Sequence, residues 1–188
     1  MPIHAWQVRR AARVVANGGV IAYPTEAVYG LGCDPLCEAA VRRILGLKRR
    51  SMRKGLIVIA ASLEQLEAYI RFPNASARRR VVASWPGAVT WVIPARPRVP
   101  VWLTGGRRSL AVRVSAHPVC RGLCAEVGPL VSTSANPGGC APARTAQRVR
   151  AYFAAALDYI VPGASGGYLL VSEIRVLESG QVLRAGGI

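Results

Sequence analysis

Apolar positions along the chain recur at two periods that alternate from end to end, a helical one and a strand-like one. Residues 6–16 have helical spacing and stop at Asn17, Gly18 and Gly19; residues 20–23 make a short strand that runs into PTEAVYGLGCDP, with Pro24, Gly30 and Gly32 as breakers. Helical spacing returns over 38–47, and a basic loop then delivers the chain to an apolar strand at 56–60. Ser62 with Gln65 has the spacing of a capping box for a helix through Ile70, and 75–84 reads as another helix. Trp85, Pro86 and Gly87 break the chain before the strand AVTWVI, and ARPRVPVWLTGGRR is expected to be an irregular, mobile surface loop. SLAVRVS alternates as a strand, a helix covers 119–127, PLVST is a strand, Thr145 with Arg148 opens a last helix, and short strands close the chain. The alternation predicts an α/β layer fold, a twisted open mixed sheet flanked by helices. No repeat, linker or composition shift divides it, so residues 1–188 are expected to form a single domain.

Charge changes this picture more than composition does. The 188 residues carry 25 Lys plus Arg against nine acids, a net charge of +16, which predicts attraction to polyanions such as nucleotides, tRNA or membrane headgroups. The only lysines are Lys48 and Lys54, both in the stretch LKRRSMRKGLIVIA. Arginine-rich usage can equally reflect genome composition. No apolar run reaches the roughly 18–20 residues of a membrane span, and no basic N-terminal segment precedes an apolar one, so a cytoplasmic protein is expected. Five cysteines (Cys33, Cys37, Cys120, Cys124, Cys140) show neither CxxC spacing nor nearby histidines, and read as reduced, mostly core thiols rather than a zinc set. His4 and His117 are far apart, and His117 before Pro118 suits a helix start better than catalysis.

The common templates are missing: there is no GxxxxGK[ST] loop, no GxGxxG, no GxSxG and no HExxH. Four segments nevertheless gather small polar and basic residues at strand ends, where open α/β sheets build their sites. They are YPTEAVYGLGCDP with Thr25 and Glu26, the 48–54 loop, SLAVRVS with Ser109 and Arg113, and PLVSTSANPGG with Ser132, Thr133, Ser134 and Asn136. Each has a plainer reading: PTEA as a helix start capped by Thr25, the basic loop as a solvated surface, STSAN as a turn.

Taken together and in order, PTEAVYGLGCDP, LKRR before KGLIVIAA, WPGAVTWV, WLTG, SLAVRV, PLVSTSAN and VPG with SEI resemble the YrdC/TsaC family of threonylcarbamoyl-AMP synthases, in its short single-domain bacterial form. The resemblance covers essentially the whole chain. It implies an α/β twisted sheet with a basic concave surface, and an enzyme that condenses L-threonine, bicarbonate and ATP to threonylcarbamoyl-AMP and pyrophosphate. That product serves N6-threonylcarbamoyladenosine (t6A) formation at position 37 of tRNAs reading ANN codons, which makes tRNA and the t6A transferase proteins the implied partners. The KxR and SxN signature falls on Lys48, Arg50, Ser134 and Asn136, the implied catalytic set. The threonine pocket is implied at Thr25, Arg113, Ser132 and Ser172, and ATP contacts at Lys48, Ser109, Ser134 and Arg184. Mg2+ is expected on the triphosphate, with no protein carboxylate required.

Such a reaction needs no protein nucleophile; it needs two anions aligned and the phosphate charge stabilised. Lys48 and Arg50, two apart, would share an exposed face in extended backbone and meet one anion, with Arg49 turned away and Arg53 and Lys54 unassigned at the rim. The chain departs from many relatives at Ser51, where KxRP has proline, at PGG after SAN, and at LLV before Ser172. With the chain ending at Ile188, the extra C-terminal domain of the longer branch is expected to be absent. The alternative reading is a tRNA or double-stranded RNA-binding module without catalysis, and with aromatics at 6% its contacts would be led by the backbone. Carbamoyl transfer in hydrogenase maturation, a third reading, belongs to much larger chains.

Overall fold

Short apolar runs become strands here, and their register decides which face of each strand meets a helix. The structure, a computed structural model, describes residues 5–168 and 171–186; His4 and the two leucines of LLV lie outside them. In chain order the elements are α1 (Ala5–Ala16), β1 (Ile21–Pro24), β2 (Tyr29–Gly32), α2 (Glu38–Leu47), β3 (Ile57–Ala60), α3 (Ala75–Val82), β4 (Val89–Pro94), α4 (Val101–Thr104), β5 (Ser109–Val114), α5 (Pro118–Val127), β6 (Leu130–Ser134), α6 (Ala146–Phe153), β7 (Tyr159–Ile160), β8 (Glu173–Val176) and β9 (Val182–Arg184). The strands form one mixed sheet in the order β7-β1-β2-β6-β3-β5-β4-β8-β9. Pairs β1/β7, β3/β5 and β4/β8 are parallel and the others antiparallel.

Alternation along the central strands sends neighbouring side chains to opposite faces. Ile57 and Ile59 pack with Leu130, with Ala11 and Val15 of α1 and with Leu123 of α5. Val58 and Ala60 pack the other way, with Val112, Ile44 of α2, Val81 of α3, Leu103 of α4 and Val149 of α6. Each large side chain buried this way contributes about 1.5–3 kcal/mol. The two helices α1 and α5 do not reach across their whole face, and what they leave uncovered becomes the site described below.

Local signals place the helix starts. Asn74 and Thr145 accept from the backbone N–H of Ala77 and Arg148, and His117 Nδ1 accepts from Val119 N–H with Pro118 in the first turn of α5. His117 is thus a cap, and burial lowers its pKa. Cys33, Cys120 and Cys124 are buried, Cys37 is half-buried and Cys140 exposed, all as free thiols. No helix among the described residues is long and apolar enough to cross a membrane.

Two expected elements differ. Residues 62–70 make only a short 3-10 turn, Glu64–Leu66. Gln65 accepts from Ala61 N–H at 2.9 Å and donates to Cys124 O at 2.7 Å, while residues 69–71 pair with 94–96, which pulls the chain out of helix. The stretch expected to be a mobile surface loop, 95–108, instead contains α4. Leu103 is fully buried, Leu56 N–H bonds its carbonyl, and Trp102 Nε1 donates to Pro35 O at 3.0 Å.

Candidate active site

The part of the sheet face left free by α1 and α5 is floored by the polar half of each alternating strand. On β5, Leu110 and Val112 are buried on the far face, so Ser109, Ala111 and Arg113 face the opening; on β6 the same phase sends Ser132 and Ser134 there. Backbone register lines these rows up, with Ile57 opposite both Ala111 and Ser132, and Gly30 opposite Ser134. The result is a cavity of about 350 Å³, within the usual range for small-molecule sites. Thr25, Arg50, Ser109, Arg113, Ser132, Ser134, Ser172 and Arg184 all line it. Eight of the ten residues singled out in the sequence therefore converge; Lys48 and Asn136 do not line it.

Gly30 and Gly32 explain the shape of the wall at β2. A side chain at Gly30 would meet Ser132 Oγ and Thr25 Cγ2 at 3.4 Å, closing the floor, and one at Gly32 would sit 2.6 Å from the Tyr23 ring and 2.7 Å from Val131 O. The plainer reading of PTEA fails: Thr25 caps no helix. Its N–H and its hydroxyl both donate to Val28 O, at 3.0 and 2.7 Å, closing a tight turn between β1 and β2.

Lys48 corrects the expectation of an exposed pair. It follows α2 in helical backbone, Arg49 is left-handed at φ 48°, and Arg50 N–H returns to Leu45 O at 2.9 Å, so residues 48–50 are not extended. Because α2 packs on the far face, Lys48 meets the exit of β6 from that side. It is 5% exposed, and its Nζ donates to the carbonyl of Ser134, to Asn136 O at 2.8 Å and to Asn136 Oδ1 at 3.3 Å. Burial, with a smaller push from Arg50, brings its pKa down to about 8. The PGG turn fits the same clasp: Gly138 N–H bonds Lys48 O at 2.9 Å, and a side chain there would come within 3.0 Å of that oxygen. Asn136 Nδ2 laces the turn to Pro137 O and Cys140 O at 3.1 and 2.7 Å. Ser51 keeps φ at −61°, a value proline would impose, and its Oγ accepts from Arg53 N–H, so the departure from KxRP leaves the turn intact.

Four guanidinium groups, those of Arg50, Arg107, Arg113 and Arg184, line the cavity. Burial lowers Arg50, and burial followed by Arg113 and Arg50 lowers Arg184. Arg184 donates to Ser172 O at 2.9 and 2.7 Å and to Ser172 Oγ at 3.0 Å, and that hydroxyl also meets Thr90 Oγ1 at 3.1 Å. Arg50 reaches Gly55 O at 3.0 Å, and its Nε is buried without a partner. Among the lining residues Glu26 is the one acid; Lys54, Arg107 and Tyr168 add to the wall. These four were not assigned from sequence. Lys54 and Arg107 sit in basic runs whose spacing does not say which side chain reaches the site, and Tyr168 lies between VPG and SEI, outside both. A cavity lined by cations, hydroxyls and one neutralised acid is built for a polyanion bound beside a smaller anion.

Comparison with known proteins adds the following. A family model for Sua5, YciO and YrdC proteins, described as Telomere recombination, matches residues 13–186. The threonylcarbamoyl-AMP synthase of Nitrosococcus oceani is 54% identical over 180 residues, covering 95% of this chain and 97% of its own. That of Stutzerimonas stutzeri is 51% identical over 179 residues, with 95% and 97% covered. Among solved structures, P. abyssi Sua5 complexed with L-threonine superposes with a TM-score of 0.92 at 34% identity, over 99% of this chain and 56% of that one. E. coli YciO gives a TM-score of 0.85 at 25% identity, over 98% and 91%.

Proposed function

The chain belongs to the Sua5/YciO/YrdC family, and from that premise we propose that it is a threonylcarbamoyl-AMP synthase, condensing L-threonine, bicarbonate and ATP with release of pyrophosphate. The observation that carries this is the meeting of Thr25, Arg50, Ser109, Arg113, Ser132, Ser134, Ser172 and Arg184 in one cavity. The described residues share one sheet, which supports reading 1–188 as one domain.

The chemistry follows from the charges. The threonine amine and bicarbonate give an N-carboxylate, with a new N–C bond and loss of one bicarbonate oxygen as water; its oxygen then attacks the α-phosphorus while the bond to the bridging oxygen breaks and pyrophosphate leaves, a nucleotidyl transfer. Two unit anions held 4 Å apart repel by about 4 kcal/mol at an effective dielectric constant of 20, so alignment needs fixed cations. Arg113 presents its fork to the threonine carboxylate, with Thr25, Ser132 and Ser172 around the rest of the amino acid. Arg50 and Arg184, with Ser109 and Ser134, hold phosphate oxygens as charge builds on them. Lys48 and Asn136 act through the loop: they fix the backbone that carries Ser134 and do not touch substrate.

Magnesium fits only as part of the nucleotide. Glu26, the one acid among the lining residues, is bound by Arg113, Ser115 and Ala116, so the donor set leaves the ion to phosphates and water. A cytoplasmic setting, with tRNA and the t6A transferase proteins downstream, completes the reading; the net charge of +16 supports contact with RNA. Purified protein should release pyrophosphate from ATP only when threonine and bicarbonate are both present. Release that ignores threonine would sink the proposal.

A further inference from the structure

We propose that Glu26 is the positioning residue for amino-acid recognition: its carboxylate sets the guanidinium of Arg113 so that one edge stays open to the substrate carboxylate. The inference rests on the synthase reading above for the identity of that substrate. Glu26 is 3% exposed and Arg113 6%, and Glu26 Oε2 lies 3.1 Å from Arg113 Nη1. The other oxygen, Oε1, accepts from Ser115 Oγ at 2.7 Å and from Ala116 N–H at 3.1 Å. Arg113 and Ser115 are two apart on the same side of the chain, so one carboxylate bridges both. Ser115 is itself held, its N–H on Ala60 O at 3.1 Å and its Oγ accepting from His117 N–H at 3.2 Å.

With Nη1 committed to Glu26, the partners still open on Arg113 include Nε, which is buried with no hydrogen-bond partner in a residue that lines the cavity. A guanidinium held by one terminal nitrogen offers its Nε side to a second carboxylate in a planar, bidentate pair. The backbone of Glu26 ties in a further wall. Its carbonyl accepts from Tyr168 N–H at 3.1 Å, its neighbour Thr25 O accepts from Gly166 N–H at 2.9 Å, and a side chain at Gly166 would come within 2.9 Å of Glu26 O. One residue thus registers Arg113 through its side chain and Tyr168 through its main chain. Oε1 of Glu26 thus accepts two hydrogen bonds, while Oε2, buried without a hydrogen-bond partner, faces the Arg113 guanidinium as an ion pair. Although burial alone would raise its pKa, Arg113, the Ser115 hydroxyl and the amides keep it below the ordinary glutamate range.

Steady-state kinetics and threonine calorimetry on E26Q and S115A test this. Glu26→Gln keeps the shape and an acceptor oxygen but loses the charge that orients Arg113. Ser115→Ala removes the 2.7 Å bond that fixes Glu26 and alters no cavity-lining residue. The expected result is a split: KM and Kd for threonine rise about tenfold or more in E26Q and less in S115A, consistent with a charged hydrogen-bond pair, while KM for ATP stays within about twofold. A residue that only supported the fold would move both substrates together. Threonine affinity unchanged in both variants, or equal losses for threonine and ATP, overturns the inference. Should E26Q not fold, S115A alone decides it by the same split. Wild-type protein that binds no threonine would instead bring down the synthase reading and this inference with it.

Discussion

Lys48 and Arg50 stand two apart in sequence, and spacing alone makes them look equivalent; the structure gives them different surroundings. Arg50 lines the cavity, so Arg50→Ala should lower threonine-dependent pyrophosphate release by about 100-fold, as loss of a group stabilising transition-state charge does, and leave the fold in place. Near-normal turnover would misplace the phosphate site. Lys48→Met, by contrast, leaves the carbonyls of Ser134 and Asn136 without their donor, and should cost about 1–3 kcal/mol of stability in urea titration besides slowing turnover. Its titration has a definite sign. The folded lysine titrates at about 8 and the free side chain near 10.5, so across that window the unfolded chain binds more protons and stability rises with pH. The clasp needs the ammonium, however, so turnover should fall above pH 8 while the melting temperature does not. Parallel loss of both would contradict this role. Nothing in the sequence separated the two residues, because the difference comes from which face of the sheet α2 lies on.

Elements with strong local signals were the most legible. Helix α2 occupies the span its periodicity predicts, Glu38–Leu47, and Thr145 caps α6 as its spacing suggested. Thr145→Ala should cost about 1 kcal/mol and leave kinetics unchanged, which thermal melts and turnover assays would show. Elements decided by partners were not legible. Residues 62–70 have a helical pattern, but the end of the stretch, 69–71, pairs with 94–96, and 95–108 looks irregular yet sends Leu103 into the core, since no local window encodes a distant strand edge or a vacancy between helices. Gly32 shows the same dependence. In sequence it is a breaker; in the sheet it is where Tyr23 crosses β2. Gly32→Ala should destabilise the protein by about 1–3 kcal/mol or more in denaturant unfolding, because the added carbon meets backbone as well as ring. An unchanged midpoint would mean that Tyr23 swings away freely.

For the molecule as a whole, the site exists because α1 and α5 cover only part of one sheet face and the strands keep their polar phase on the rest. That phase was readable in SLAVRV and LVSTS, which is why most candidate residues were found; their convergence depends on strand order, which was not. The surplus of basic residues also acts at this scale. A net charge of +16 predicts that an RNA duplex is held at low ionic strength and released steeply as salt rises, measured as the slope of log affinity against log salt concentration. A flat slope would argue against a contact led by the phosphate backbone. The central claim, that this cavity joins threonine to AMP through a carbon taken from bicarbonate, is tested most directly by mass spectrometry of the adenylate formed from ATP, threonine and 13C-labelled bicarbonate. The product should contain threonine and one labelled carbon between it and the phosphate; an adenylate without the label, or none at all, would contradict the account.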